Sequence, residues 1–587
     1  MHPRRQVGNP LALNIAALAV LLLLVASVGP PAGDFANYYT AAVLWWEGAA
    51  GPAMYDYRWF TAEASRVGFG DRLVGFAVLT PPSALFAAPL LPLSPHRAGQ
   101  AWWLGQGALL VLVVGLLSRS LRRAPWLVVL PVFALWPSVQ SHLYQGQFHL
   151  PAVVALAAGF APFFRRHWSA GLWWGLAAGL KVHAWPLLVM LALCRRWRAL
   201  GVAVATLAVG GGVSVALLGW PLHETWLREI APAAAQGWFT DPWHPALQSV
   251  HNTARRLLLP SPAGGPLLST RPLLSARVPA AVSALVVGWT LACGVRWGEL
   301  SDTDKRSLLS AAAIAALVSG PILVTYHLTL LIPPVAWALD ANLRGGRRLR
   351  AALIAVVVVT VAWIPAPAPP TSVGLSDIVT LLPRFWACLL LWGLLLPWRV
   401  TAWHAGVLVL AVVAVLGARL PPGAAGAQPL AGGQLPLIAD ELVWSDGDGL
   451  CWSGLASERG DAPGRGWVGY CLGDDGAPRI VAAAEGAHVW APRVDGAVVS
   501  WRHGAVTPSP RDILLIEGRG QVVVRHGDLY WVPLAGAERR LTDHPALDRS
   551  PVYDPQRERL WFLSDRRSGV RALRLWWLPA PWAADAL

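Results

Sequence analysis

The sequence predicts a polytopic α-helical membrane protein of about thirteen transmembrane helices, followed by a C-terminal all-β domain. Three observations predict it. Hydrophobic residues make up 55% of the 587 residues and charged residues only 14%, which excludes a disordered chain and the ordinary soluble enzyme. The charge is also divided: residues 1–419 hold 30 Lys+Arg against 13 Asp+Glu, whereas residues 420–587 hold 17 against 20. Finally, the hydrophobic period changes after Pro421-Pro422-Gly423, from long apolar runs to short β-rich ones separated by turn residues. Domain boundaries follow: a multi-span domain over 1–419, a Gly/Ala/Pro linker over 420–436 and a β-rich domain over 437–587.

The first run, 11–28, follows Arg4 and Arg5 and ends at Pro30-Pro31. With no clear cleavage site after it and many spans to come, it reads as an uncleaved first helix. Further candidates are 100–117, 124–140, 148–164, 169–181, 183–194, 199–218, 277–296, 307–324, 327–341, 350–364, 379–396 and 403–419. Several are shorter than the ~20 residues a full span needs, and the pair around Lys181 has the length of half-helices. Residues 74–93 are apolar but broken by Pro81-Pro82, Pro89 and Pro92. They read as an element dipping into the membrane from one side, where proline-broken backbone has a protein-lined or wet setting.

Arginine clusters set the sides. Arg4-Arg5, Arg119/Arg122/Arg123, Arg165-Arg166, Arg195-Arg196-Arg198, Lys305-Arg306 and Arg344/Arg347/Arg348/Arg350 all belong in the cytoplasm. Thirteen spans and one re-entrant element put every cluster there. The loops 30–99, 138–147, 219–276 and 365–378, the turns near 182 and 326, and the whole tail then lie outside. Basic residues in short clusters between apolar runs are a membrane pattern rather than a nucleic-acid surface, so the bilayer is the expected partner and nucleic acid is not. Many of the 34 tryptophans stand near span ends, where an amphipathic ring suits the headgroup layer.

The expected outer face collects the unusual polar residues: Asp34 with Tyr38 after the first helix, Thr80-Pro81-Pro82, Gln147 and His149, Lys181 and His183, Gln248 with Arg255-Arg256, and Thr325-Tyr326-His327. Lys181 is the most informative. The chain has 45 arginines and two lysines, so a lysine kept in an apolar stretch suggests a need for its compact, strongly hydrated charge, suited to one phosphate group. A snorkelling lysine at a helix end is the alternative. Asp34 is a candidate general base or simply the cap of a helix starting at Phe35. His327 reads equally as a packed structural histidine. The outer histidines lack metal-ligand spacing, so neither a metal nor any other cofactor is expected. No P-loop, GxGxxG or GxSxG motif stands in a convincing context. The energy of any reaction must then come from an activated substrate.

In the tail, short β-rich runs alternate with Gly/Asp turns such as Asp446-Gly447 and Asp495-Gly496, the spacing of antiparallel hairpins. The run from Arg540 through Ser564-Asp565-Arg566 resembles one blade of a TolB-type β-propeller, and the length allows three or four blades. Cys451 and Cys471 lie in this tail and pair only if it is outside the cytoplasm and the two meet. Cys194, Cys293 and Cys388 lie in or beside apolar runs and read as small packing residues.

Residues from about 30 to 340 resemble glycosyltransferase family 87 of the GT-C superfamily, the polyprenyl-phosphate-sugar-dependent transferases. The matching pieces are Asp34-Phe35 with Tyr38-Tyr39 and Ala41-Ala42, Thr80-Pro81-Pro82, Gly146-Gln147, Gly175 through Lys181, Gln248-Ser249 with a following arginine, and His327. Two pieces depart from the family. His149 stands two residues after Gln147, where the family has Asn shortly after the Gly-Gln pair, and Leu247-Gln248-Ser249 replaces Asn-Gln-Ser. The propeller-like tail is not a general family feature. The resemblance implies a GT-C-like fold and Asp34 as the catalytic acid of the first outer loop. It implies donor-phosphate contacts from Lys181 and His327, to which Arg256 is added, and sugar or acceptor contacts from Tyr38, Gln147, His149, His183 and Gln248.

The expected function is an inverting transfer of a hexose such as mannose from a polyprenyl-phosphate donor to a glycan or glycolipid acceptor. It would take place on the outer face of a bacterial inner membrane. Two other classes stay open at this stage: a transporter or flippase of lipid-linked sugars, and a non-catalytic membrane anchor for a β-propeller binding module.

Overall fold

A computed structural model describes residues 10–55, 57–70, 74–76, 79–235, 248–253, 272–320, 322–364 and 382–397. Of the tail it describes the strands and short turns within 428–582. The apolar runs are helices where side chains and backbone agree. The run Pro10–Val28 stops at Gly29, whose φ of +74° precedes Pro30-Pro31 and cannot continue a helix. Four helices are long and apolar enough to cross a bilayer, Leu11–Val28, Pro95–Leu121, Trp197–Leu218 and Val278–Val295, among the described residues. The pair Pro125–Ala134 and Trp136–Gln145, bent by 73°, makes a fifth if it is one span.

Other expected spans are helices of nine to eighteen residues: Leu150–Phe164, Ser169–Leu180, Trp185–Leu193, Asp302–Ser319, Ile332–Arg344, Arg348–Trp363 and Pro383–Leu395. Continuous apolar composition had hidden the backbone breaks that shorten them. The expected span 403–419 lies outside the described residues. Residues 81–90 form two 3₁₀ turns, Pro81–Leu85 and Ala88–Leu90, before the helix that begins at Pro95.

One end of the helical part is basic. Asp340, buried, takes the guanidinium of Arg123 at 2.7 Å, of Arg344 at 2.9 Å and of Arg306 at 3.8 Å. Asp304 in turn pairs with Arg347 at 2.5 Å and Arg350 at 3.9 Å. Three arginine clusters far apart in sequence therefore share one end. The helix Trp197–Leu218 starts among Arg195, Arg196 and Arg198 and finishes at the other end, where the Trp45 indole donates to the Leu217 carbonyl at 3.0 Å. There, residues of the first loop (Leu44, Tyr55, Phe60, Phe76) form a core with Leu218 and Leu222.

Helix packing is close where glycine allows it. A Cβ on Gly171 would stand 1.7 Å from the Ala199 carbonyl oxygen. Only a hydrogen there lets Ser169–Leu180 lie directly on Trp197–Leu218. One turn on, Trp174 is fully buried against Phe163, with ring centroids 4.9 Å apart. The helix that leads to Lys181 is thus fixed against two other helices.

The tail is built of antiparallel units. Its strands are β1 (Gln428–Pro429), β2 (Ile438–Ser445), β3 (Gly449–Leu455), β4 (Trp467–Leu472), β5 (Pro478–Ala483), β6 (Val489–Pro492) and β7 (Val498–Trp501). They continue with β8 (Ile513–Ile516), β9 (Gly520–Arg525), β10 (Asp528–Pro533), β11 (Arg539–Arg540), β12 (Asp548–Asp554), β13 (Arg559–Ser564) and β14 (Arg574–Pro579). Three sheets have four strands, ordered β2-β3-β4-β5, β11-β10-β9-β8 and β1-β14-β13-β12, and β6 pairs with β7. The last sheet is completed by β1, the first strand of the tail. Strand β12 lies against both β2 and β8. A core of Val522, Leu529, Trp531, Leu560, Phe562 and Trp576 joins the last two four-stranded sheets.

Candidate active site

Asp34 stands immediately before the helix Phe35–Trp46, the position of a helix cap, but its carboxylate caps nothing. It faces instead the chain that leaves Trp136–Gln145. The Ala32 amide donates to the Tyr144 carbonyl at 2.9 Å. Gly146 then turns with φ +70°, and a Cβ on it would come within 2.6 Å of the Phe35 Cβ. Glycine is required there for both reasons, and the close approach delivers Gln147 to Asp34. The Gln147 Nε2 donates to Asp34 Oδ2. The Tyr38 hydroxyl donates to Gln147 Oε1 at 3.0 Å, so both ends of the amide are used and its orientation is fixed. The Asn37 Nδ2 donates to the other carboxylate oxygen at 3.4 Å, and its own Oδ1 accepts from the Gly75 amide at 3.2 Å.

Burial pushes the Asp34 carboxyl above the usual carboxylate range. The Gln147 hydrogen bond, the Lys181 charge and the Asn37 hydrogen bond oppose the rise. Tyr38 is stacked on Trp102 with centroids 5.6 Å apart, and Phe86 stacks on Phe148 at 3.7 Å beside it. This aromatic wall shields one side of the carboxylate from water.

Lys181 ends the helix Ser169–Leu180. Its amide donates to the Ala177 carbonyl at 2.9 Å, after which the backbone becomes extended. Its side chain and that of His183 line a cavity whose other walls are apolar, among them Leu156, Ala177, Leu317 and Leu330. Among the described residues the Lys181 ammonium has no hydrogen-bond or ion-pair partner, although its charge reaches Asp34. An unpaired cation in an apolar recess favours an anionic ligand.

Four imidazoles stand in a row beside it. His142 and His149 have ring centroids 5.6 Å apart, His149 and His327 5.0 Å, and His327 and His183 5.4 Å. Among the described residues, both ring nitrogens of His149 and the Nδ1 atoms of His142 and His183 are buried without a hydrogen-bond partner. The His142 Nε2 is 3.2 Å from Gln106 Oε1. His327 sits in the 3₁₀ turn Thr325–Leu331, where its Nδ1 faces the Val324 amide at 3.4 Å. Buried polar atoms without partners are uncommon in folded proteins, and here they cluster.

The sequence-derived residues thus fall into two adjoining groups. Asp34, Tyr38 and Gln147 form one, and Lys181, His149, His183 and His327 the other. Gln248 has two backbone-linked contacts: its amide donates to the Leu323 carbonyl at 2.9 Å and its Oε1 accepts the Arg384 amide at 2.9 Å. It therefore ties the turn before His327 to the start of Pro383–Leu395. Arg256 lies outside the described residues. No group of three or more His, Cys, Asp or Glu side chains arranged to hold a metal occurs among the described residues.

Sequence reasoning missed two contributors, Asn37 and Arg384, and weighed a third, His142, only as one of the outer histidines. Asn37 completes the hydrogen bonds of Asp34. His142 extends the imidazole row. Arg384, buried, donates from Nη1 to the Thr325 hydroxyl at 2.5 Å and from Nη2 to the Ile364 carbonyl at 2.8 Å. A single arginine inside the apolar run 379–396 carried the signal for the last, by the same reasoning that singled out Lys181.

Comparison with known proteins points the same way. Residues 78–325 match the family model described as Glycosyltransferase family 87. Asp34 lies before the matched segment and His327 just after it. A Mycobacterium tuberculosis protein described as polyprenol-phosphate-mannose-dependent alpha-(1-2)-phosphatidylinositol pentamannoside mannosyltransferase is 26% identical over 48% of this chain and 58% of its own length. A protein of the same description from Mycolicibacterium smegmatis is 26% identical over 45% of this chain and 57% of its own length. The chain thus spans under three fifths of the length of these curated relatives. No solved structure matches it.

Proposed function

We propose that this chain, which is similar to glycosyltransferase family 87 over residues 78–325, is a membrane glycosyltransferase that takes a hexose such as mannose from a polyprenyl phosphate. The observation that carries the reading is the pairing of opposites at the site. A carboxylate that accepts from two neutral side-chain amides stands within electrostatic reach of a lysine and beside a row of imidazole nitrogens, and among the described residues neither the lysine nor those nitrogens have a partner. That arrangement suits a sugar phosphate, with the phosphate at the cation and the anomeric carbon between cation and base.

The donor enters sideways from the bilayer with its isoprenoid chain between helices. Lys181 holds the phosphate, and N–H groups of His149, His183 and His327 complete its coordination; Arg256 is a further candidate cation. The acceptor hydroxyl oxygen attacks the anomeric carbon as the carbon–oxygen bond to the phosphate breaks. The bonding pair leaves on the phosphate, where Lys181 stabilises the developing charge. Asp34 takes the hydroxyl proton. Tyr38 and Gln147 hold the carboxylate in position and face the sugar, and Gln248 supports the turn that carries His327. One displacement inverts the anomeric centre, and the new bond is made without an enzyme-bound intermediate.

The acceptor in this reading is a glycan or glycolipid on the outer face of the bacterial inner membrane. The β-rich tail, also outside, serves as its platform. The support for a propeller is the division into antiparallel units, with the first strand completing the last sheet and β12 meeting the first strands of two other units. Incubation of purified protein with radiolabelled polyprenyl-phosphate mannose and mycobacterial-type or other envelope glycolipids tests the reading. Label should move to an acceptor with wild-type protein and not with Asp34→Asn. Turnover by Asp34→Asn near the wild-type rate sinks the assignment of the base. Absence of transfer from any polyprenyl-phosphate sugar sinks the activity.

A further inference from the structure

We infer that Cys451 and Cys471 form a disulfide that staples the first sheet of the tail. They are Cα partners in the antiparallel pair β3–β4. Directly opposed residues in such a pair have Cα atoms ~4.5–5.5 Å apart and share one face of the sheet. That separation lies inside the ~4.4–6.8 Å range that a disulfide spans.

The register that opposes them is well fixed. Strands β3 and β4 are the two interior strands of the order β2-β3-β4-β5. Their pairing runs without a shift from Cys451↔Cys471 to Leu455↔Trp467. Each cysteine is also registered on its other side, Cys451 against Val443 of β2 and Cys471 against Arg479 of β5. The bulges in this sheet fall elsewhere, between β2 and β3 and between β4 and β5. A one-residue slip would put the two cysteines on opposite faces, and pairing on both flanks opposes it. The other three cysteines, Cys194, Cys293 and Cys388, are free thiols of the helical part.

Oxidation removes one proton and one electron from each thiol and joins the two sulfur atoms. The electrons pass to a protein disulfide by thiol–disulfide exchange, which is reduced to a dithiol in the same step. Such acceptors work in oxidising compartments and not in the cytosol. The bond therefore also reports the compartment of the tail. The inference does not depend on the transferase activity, and the outcomes of the two tests are separate.

The experiment is peptide mapping of the full-length protein, extracted from membranes with an alkylating agent present and digested without reductant. A linked pair of peptides containing Cys451 and Cys471, lighter than the sum of the two by two hydrogens and resolved by reductant, is the expected result. The purified oxidised protein should also lose several degrees of Tm in the tail transition on reduction, as should Cys451→Ser/Cys471→Ser. Full alkylation of both cysteines before reduction overturns the inference. So does a bond joining Cys451 of one chain to Cys471 of another, seen as a covalent dimer on a non-reducing gel.

Discussion

Gln147 and Asp34 are 113 residues apart in sequence and joined by a direct amide-to-carboxylate hydrogen bond. The other end of the same amide accepts from Tyr38. One side chain therefore orients the candidate base and relays the position of a buried aromatic wall. Gln147→Leu keeps the volume and removes both bonds. A hydrogen bond to a charged group is worth about 1.5–3 kcal/mol, which corresponds to roughly a ten- to hundredfold loss in kcat. The rate of transfer from a polyprenyl-phosphate sugar measures it. An unchanged kcat would detach Gln147 from catalysis.

The acid limb of the pH–rate profile carries the same information. Burial holds the Asp34 carboxyl above the usual range, so the group protonates, and ceases to accept a proton, at a higher pH than the ordinary ~3.9 of an aspartate. Activity should fall on acidification through that raised value. Gln147→Leu and Lys181→Met each remove an interaction that lowers it, so both should move the limb to higher pH. A limb that moves down in either variant contradicts the assignment of the limb to Asp34.

Lys181 has no partner among the described residues, so its loss should be felt when donor binds. Lys181→Met should raise the donor KM about ten- to hundredfold, from the ~1.5–3 kcal/mol of a charge-assisted contact, with the acceptor KM little changed. Lys181→Arg should restore only part of it, because a planar fork replaces a compact charge. Steady-state kinetics with each substrate varied in turn separate the two. Equal effects on donor and acceptor would remove the phosphate role.

Arg384 should behave as a positioning residue. It binds Thr325, two residues before His327, and the carbonyl of Ile364, while its backbone amide holds Gln248. Arg384→Ala frees the Thr325–Leu331 turn and should lower kcat more than it lowers Tm. Arg384→Lys should recover little, since one ammonium cannot reach both acceptors in the geometry of the fork. Parallel losses of kcat and Tm across both variants would mean a purely structural role.

The membrane character and the shared end of three arginine clusters were legible in the sequence, because each follows from local composition. So was the singularity of Asp34 and Lys181, each charged within or beside apolar surroundings. The meeting of Asp34 with Gln147 was legible only through family resemblance and the common end of two loops, since it depends on Gly146 admitting Phe35. The reach of the helices was misjudged where one apolar run hides a break, as at Leu135 between two helices bent by 73°. Hydropathy has no term for such a bend. Arg384 stands alone in an apolar run that has the composition of a span, and the three-arginine grip on Asp340 is a long-range ion pair with no local pattern.

That grip supplies the last prediction. Asp340 has only 5% of its surface exposed and is the one carboxylate, among the described residues, shared by Arg123, Arg306 and Arg344. Asp340→Asn leaves three guanidiniums facing one another without their counter-charge. The arginines are themselves partly exposed, with side chains 36%, 29% and 47% accessible, so solvent screens part of the loss. The cost should lie between the ~1 kcal/mol of an exposed pair and the ~3–5 kcal/mol of a broken buried one. Thermal unfolding in detergent should show a lower Tm that high salt partly restores, as screening relieves the repulsion. Transfer kinetics per folded molecule should be unchanged, since the cluster lies at the end of the helices opposite Asp34. A kinetic defect without loss of Tm would mean that the two ends of the helical part are coupled.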